Sequence, residues 1–127
     1  MSPRLTLAVA ALQAGLAVVL GAFAAHALND RLVEAGQLDT WRTAVRYQMW
    51  HALALLLVGL LRQHASGLGF TSWMFPLGSL LFSGSIYALA FGVAPSVMGP
   101  ITPLGGTLLI AGWVGLFVWA LRRPAAG

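Results

Sequence analysis

Residues Trp41 to Leu61 read WRTAVRYQMWHALALLLVGLL. Two arginines stand among three aromatic residues, a histidine follows at position 51, and the remainder is an apolar run. At about 1.5 Å of rise per residue, about 20 such residues cross the roughly 30 Å of hydrocarbon in a bilayer. The stretch therefore predicts a transmembrane helix with a polar group near its start. Met49, Leu53, Leu56 and Leu60 recur at helical spacing and predict a lipid-facing stripe. Tyr47, His51, Ala54 and Val58 repeat the pattern on the inward face. Counted from Trp41, Arg46 lies about 7 Å along the axis, within snorkelling reach of the interface, and His51 about 15 Å. Counted from Tyr47 as the surface marker, His51 is only about 6 Å deep.

Three further blocks have the same character: Leu5 to Leu28, Gly69 to Phe91 and Leu104 to Leu121. The chain of 127 residues is 59% hydrophobic and 8% charged, against about 25% charged in soluble domains, too few charges to coat a water-facing surface. The expected fold is a single all-α domain, a polytopic membrane protein built as an antiparallel four-helix transmembrane bundle with short links. Seven arginines, no lysine and three acids are spread along the sequence beside the apolar blocks. They form no basic stripe of the nucleic-acid-binding kind. With no cysteine, disulfides and thiolate chemistry are excluded.

Within the first block, Leu5, Leu12, Leu16 and Phe23 share a helical face predicted to meet acyl chains. Ala10, Ala14, Ala17, Gly21 and Ala24 line a face on which another helix can approach closely. That small-residue stripe separates the block from a secretory signal, which Arg4 and Ala22-Phe23-Ala24 otherwise imitate. Asn29 to Thr40 carries all three acids, and Leu28, Leu32 and Ala35 predict a short interfacial helix broken at Gly36. Asp39 is expected to cap the helix that follows. In the third block Gly78, Ser85, Ala88 and Gly92 fall on one side, with Phe75, Phe82 and Leu89 opposite. Val93 to Pro103 holds three prolines and predicts a tight turn. In the fourth block Trp113 and Trp119 are expected as lipid or interface anchors. Alternation of the spans puts Arg4, Arg62, Arg122 and Arg123 on one side against Arg31, Arg42 and Arg46 on the other. That excess of one predicts both termini in the cytoplasm.

The string Gly21-Ala22-Phe23-Ala24-Ala25-His26-Ala27-Leu28 resembles a GAFxAHAL motif. Trp41, Thr43-Ala44, Tyr47-Gln48 and His51-Ala52-Leu53-Ala54 resemble its W-x-TA-x-x-YQ-x-x-HALA partner. Phe82 to Tyr87, Ile101 to Gly106 and Gly112-Trp113 look like FSGSxY, ITPLGG and GW. Together these resemble the domain-of-unknown-function-423 family, the YgdD-like small bacterial inner-membrane proteins, along nearly the whole chain. The departure is alanine at Ala24 in place of the commoner glycine. The resemblance implies a four-span multi-pass protein of the bacterial inner membrane and brings no reaction.

Threaded up and down, the spans gather His26, Arg46, Tyr47, His51, Ser83 and Tyr87 towards one end. Ionisable residues within a membrane mark function by default, so two readings stand. One is a structural clasp of hydrogen bonds holding helix ends together. The other is a carrier or binding site for a small solute, ion or lipid, centred on His26, Arg46, His51 and Tyr87. A metal or haem on His26 and His51 would need matched depths and further ligands, and no carboxylate lies within a span; no cofactor is expected. Ser83 with His51 lacks the acid of a triad, and Gly105-Gly106 lacks the lysine of a phosphate loop, so no catalytic residue is expected. The expected partners are the lipid bilayer and further membrane proteins, a second copy of the chain included.

Overall fold

The computed structural model describes residues 1–124, which are helical and contain no strand. Helix α1 runs Pro3–Ala25, α2 Asn29–Glu34, α3 Leu38–Leu61, α4 Gly69–Ala90 and α5 Pro95–Leu121. α1, α3, α4 and α5 are each long and apolar enough to cross a membrane, so the four expected spans are the fold. Each long helix packs against the next in the chain, and α1 only brushes α4. The spans therefore lie in the order α1–α3–α4–α5. In their most apolar stretches α3 and α4 bury 44% and 39% of their residues, α1 and α5 only 17% each. The outer two are thus the lipid-facing flanks.

Small residues set how closely the spans approach. Ala10, Ala17 and Ala24 are buried, while Leu5, Leu12, Leu16 and Phe23 on the far face of α1 are exposed. At Gly59 of α3 a Cβ would sit 2.7 Å from Leu7 Cδ2 of α1. The tightest contact joins α4 and α5, where a Cβ on Gly105 would collide with the Phe82 backbone nitrogen. Lipid tails are as apolar as leucine, so close van der Waals approach of this kind replaces the hydrophobic drive between spans.

Three local expectations are corrected. The segment Val93 to Pro103 is not a turn: α5 is helical from Pro95. Pro95 sits in the first helical turn, where a missing N–H costs nothing. Pro100 and Pro103 lie inside the helix, and neighbouring spans and hydroxyls make such breaks tolerable in a membrane. Here the Thr102 and Ser85 hydroxyls share a 2.6 Å hydrogen bond that docks this segment on α4. The reversal is confined to a short link in which Ala94 takes φ 41°. Tyr47, expected on the inward face of α3, is 37% exposed, whereas Phe75 on α4 is fully buried, because α4 is covered by α3 on one side and α5 on the other. Asp39 does not cap α3. The N-cap is Gln37, with no side-chain bond, and Asp39 instead stands 3.9 Å from Arg42 in an exposed ion pair. The short acid-bearing helix does form and ends at Gly36, where φ of 66° lets the Gln37 N–H reach the Leu32 carbonyl at 2.8 Å.

Gly105→Ala is expected to lower stability by about 1–3 kcal/mol through overpacking. Gly99→Ala, whose Cβ would meet nothing within 4 Å, is expected to lower it not at all; thermal melting of the two variants in one detergent compares them.

Candidate functional site

The polar groups of the spans form separate bridges rather than one cluster. His51 lies about 20 Å along α3 from Leu38 and about 15 Å from Leu61, so it is a mid-membrane residue. Its Nδ1 is 2.7 Å from the Tyr47 carbonyl, and its Nε2 is 3.0 Å from the indole N–H of Trp113 on α5. A carbonyl only accepts and an indole N–H only donates, which assigns the ring proton to Nδ1 and leaves Nε2 as the acceptor. Around the imidazole, Phe75 and Trp113 pack edge-on at 5.6 and 5.9 Å between centroids. Tyr47 stacks at 6.1 Å. Beside this group runs a groove of about 430 Å³ lined by Tyr47, His51, Phe82 and Trp113, among others. Trp113, expected as an anchor, thus has its nitrogen turned inward at mid-span while its ring stays 46% exposed.

Tyr87 belongs to a second bridge. Its hydroxyl donates to Gln48 Oε1 at 2.9 Å. The Gln48 amide donates in turn to the Gln13 carbonyl of α1 at 2.9 Å, so one chain of bonds crosses α4, α3 and α1. Tyr87 also packs on Trp41 at 4.6 Å, and the buried Trp41 indole donates to the Leu20 carbonyl of α1 at 2.9 Å. Ser83 forms a third bridge, donating to the Ala44 carbonyl of α3 at 2.7 Å. The structure does not bring His26 and Arg46 to these groups. Both are exposed, and no hydrogen bond joins either side chain to them among the described residues. His26 closes α1 through its backbone N–H.

At the opposite rim, Arg62 does what no sequence pattern announced. Its Nη1 donates to Thr6 Oγ1 at 2.9 Å and to Ser72 Oγ at 3.0 Å, tying α1, α3 and α4 through two buried hydroxyls. Its position after an apolar run marks it for sequence reasoning as an orienting charge and hides this bridging. Gln13 is legible only as an isolated amide inside an apolar stretch, and Gln48 only as a letter of the W-x-TA-x-x-YQ string. No group of three or more histidine, aspartate or glutamate side chains converges among the described residues.

Comparison with known proteins agrees on the class. The family model described as "Protein of unknown function (DUF423)" matches residues 20–106. A UPF0382 membrane protein of Haemophilus influenzae is 47% identical over 113 residues, covering 87% of this chain and 88% of that protein. The UPF0382 membrane protein YwdK of Bacillus subtilis is 42% identical over 115 residues, covering 88% and 92%. A UPF0382 membrane protein of the fission yeast Schizosaccharomyces pombe is 39% identical over 119 residues, covering 87% and 96%. No solved structure matches the chain.

A double-mutant cycle on His51→Ala and Trp113→Phe is expected to give a coupling of about 0.6 kcal/mol and no more than about 1.7, the range for hydrogen bonds between membrane helices. His26→Ala is expected to leave the melting temperature where it is. Detergent melting curves of the four proteins of the cycle and of His26→Ala read out both.

Proposed function

Since the chain belongs to the DUF423 family of proteins of unknown function, we propose that it acts as a non-catalytic structural or interaction protein of the membrane. The observation that supports this most is how the reactive side chains are spent. Both ring nitrogens of His51, the Ser83 hydroxyl and the Tyr87 hydroxyl are each committed to a bond. A nucleophile or base must be free to meet a substrate at hydrogen-bond distance. These groups instead fix the register of neighbouring spans, which is what polar pairs between membrane helices do best. The flanks α1 and α5 keep broad exposed apolar faces, suited to lipid and to further membrane partners. The alternative is a carrier or binding protein for a small solute, ion or lipid. The groove beside His51 favours it, while the separation of His26 and Arg46 from His51 and Tyr87 weighs against a site built from all four.

The proposed location is the bacterial inner membrane, which the family resemblance implies, with both termini cytoplasmic, which the excess of one arginine beside the spans supports. Reporters fused to the two ends are expected to sit in the same compartment, on the cytoplasmic side; opposite compartments overturn it. For the role itself, the purified protein is examined by mass spectrometry and absorbance, with His51→Ala beside it. The expected result is a variant that melts earlier and carries the same associated material as the parent. A bound species that disappears with His51→Ala would establish the carrier reading instead.

A further inference from the structure

A crevice of about 200 Å³ lies where α1 and α4 flank α3 without closing on each other. Its floor is polar, with Gln13, Gln48, Ser79 and Tyr87, and Leu16 and Leu80 are among its apolar walls. These two leucines are 47% and 66% exposed on the outer surface, so the mouth opens to hydrocarbon. Gln13 is ten residues into α1 and Ser79 ten into α4, about 15 Å along each axis. The floor is therefore near the middle of the bilayer.

Two atoms of that floor are out of keeping with the rest of the spans. Gln13 Oε1 and Ser79 Oγ are buried and have no hydrogen-bond partner among the described residues. Thr6, Thr71, Ser72, Ser83 and Ser85, the other buried hydroxyls, each have one. Ser79 is 3% exposed and lines the crevice. Hydrocarbon offers such atoms no water. An amide oxygen only accepts, whereas a serine hydroxyl both donates and accepts. A ligand hydroxyl has the matching character, able to donate to the first and accept from the second. Among the described residues no arginine, acid or histidine lines the crevice, and a charge at this depth without a partner is strongly disfavoured, which restricts the ligand to neutral molecules.

We infer that this crevice binds an uncharged lipid-soluble alcohol, its hydroxyl donating to Gln13 Oε1 and accepting from Ser79 Oγ, its apolar remainder leaving past Leu16 and Leu80 into the bilayer. The site goes beyond the proposed role and uses neither His51 nor Ser83. Its failure would leave the non-catalytic reading standing.

The test uses the full chain in phospholipid nanodiscs. The probes are a long-chain primary alcohol carrying a photoactivatable diazirine near its hydroxyl, and the methyl ether of the same chain. Photolabelling of α1 and α4 peptides around Leu16 and Leu80 is expected with the alcohol. The ether, which cannot donate to Gln13, is expected to label about fivefold less, one neutral hydrogen bond's worth. Ser79→Ala and Gln13→Leu are each expected to lower alcohol labelling by about the same factor. Gly84→Leu is the variant that keeps both polar groups. A Cβ there meets nothing closer than Leu80 Cδ1 at 3.9 Å, so the new side chain is expected to fill the mouth and abolish labelling in a protein that melts normally. Equal labelling by alcohol and ether means that trapped water alone serves these atoms, and overturns the site. Parental labelling in Gly84→Leu overturns it as well, whether or not the other two variants fold.

Discussion

In hydrocarbon a donor has no solvent to fall back on, so an N–H or O–H buried there needs an acceptor on the protein or on a bound molecule. That constraint organises this molecule more than any other. The indole of Trp41 reaches the Leu20 carbonyl, Ser83 reaches Ala44, and Trp113 reaches His51. Each of these bonds leaves one helix and ends on another, so satisfying the donor and fixing the helix pair are one event. The net worth of a single such bond is modest, about 0.6 kcal/mol on average. Its geometric effect is larger, because a wrong register would strand the donor in an environment that cannot solvate it. Packing supplies the complementary part: Gly105 lets the α5 backbone lie against Phe82, an approach that any side chain would prevent.

The same logic separates the polar groups that define the structure from those that do not. Arg62, at a helix end, bonds two hydroxyls on two other spans, and Gln48 relays between Tyr87 and Gln13. His26 and Arg46 are exposed, and their positions in the motifs do not translate into contacts with His51. A pattern of residue types along a chain therefore does not amount to a site. The bonds of His51 with Tyr47 and Trp113 come nearest to one, and they occupy both ring nitrogens.

Most of the architecture was legible in the sequence, since length and apolarity decide which segments cross a bilayer. The inward faces of α1 and α3 were legible in large part, from Ala10, Ala17 and Ala24 and from His51, Ala54 and Val58, all buried, although Tyr47 of the same predicted face is exposed. The start of α5 was not. Pro95, Pro100 and Pro103 carry the signature of a turn under rules learned in water, where a lost helix bond is replaced by solvent and the chain bends away. Docked on α4 through Thr102 and Ser85, the same residues stay helical. The periodicity of α4 sets Phe75 opposite Gly78 and assigns neither to lipid. A helix at the edge has one outer face, but α4 is interior on two sides, and that depends on the order of the row rather than on the periodicity of α4. The polar groups were visible as residue types, whereas Gln13 gives no local signal beyond being an amide in an oily run. Its role depends on Gln48 and Ser79, which lie 35 and 66 positions further along the chain.

The order α1–α3–α4–α5 repeats the order of synthesis. Every major helix contact is between spans adjacent in the chain, so each helix finds its neighbour already in place when it is inserted, and the bond from Trp113 to His51 reaches back past α4 once the last span arrives. Loop closure stays local and its entropic cost small. The protein thus assembles as a succession of hairpins, and the last hairpin, with Gly105 seated against Phe82, completes it without rearranging the ones before.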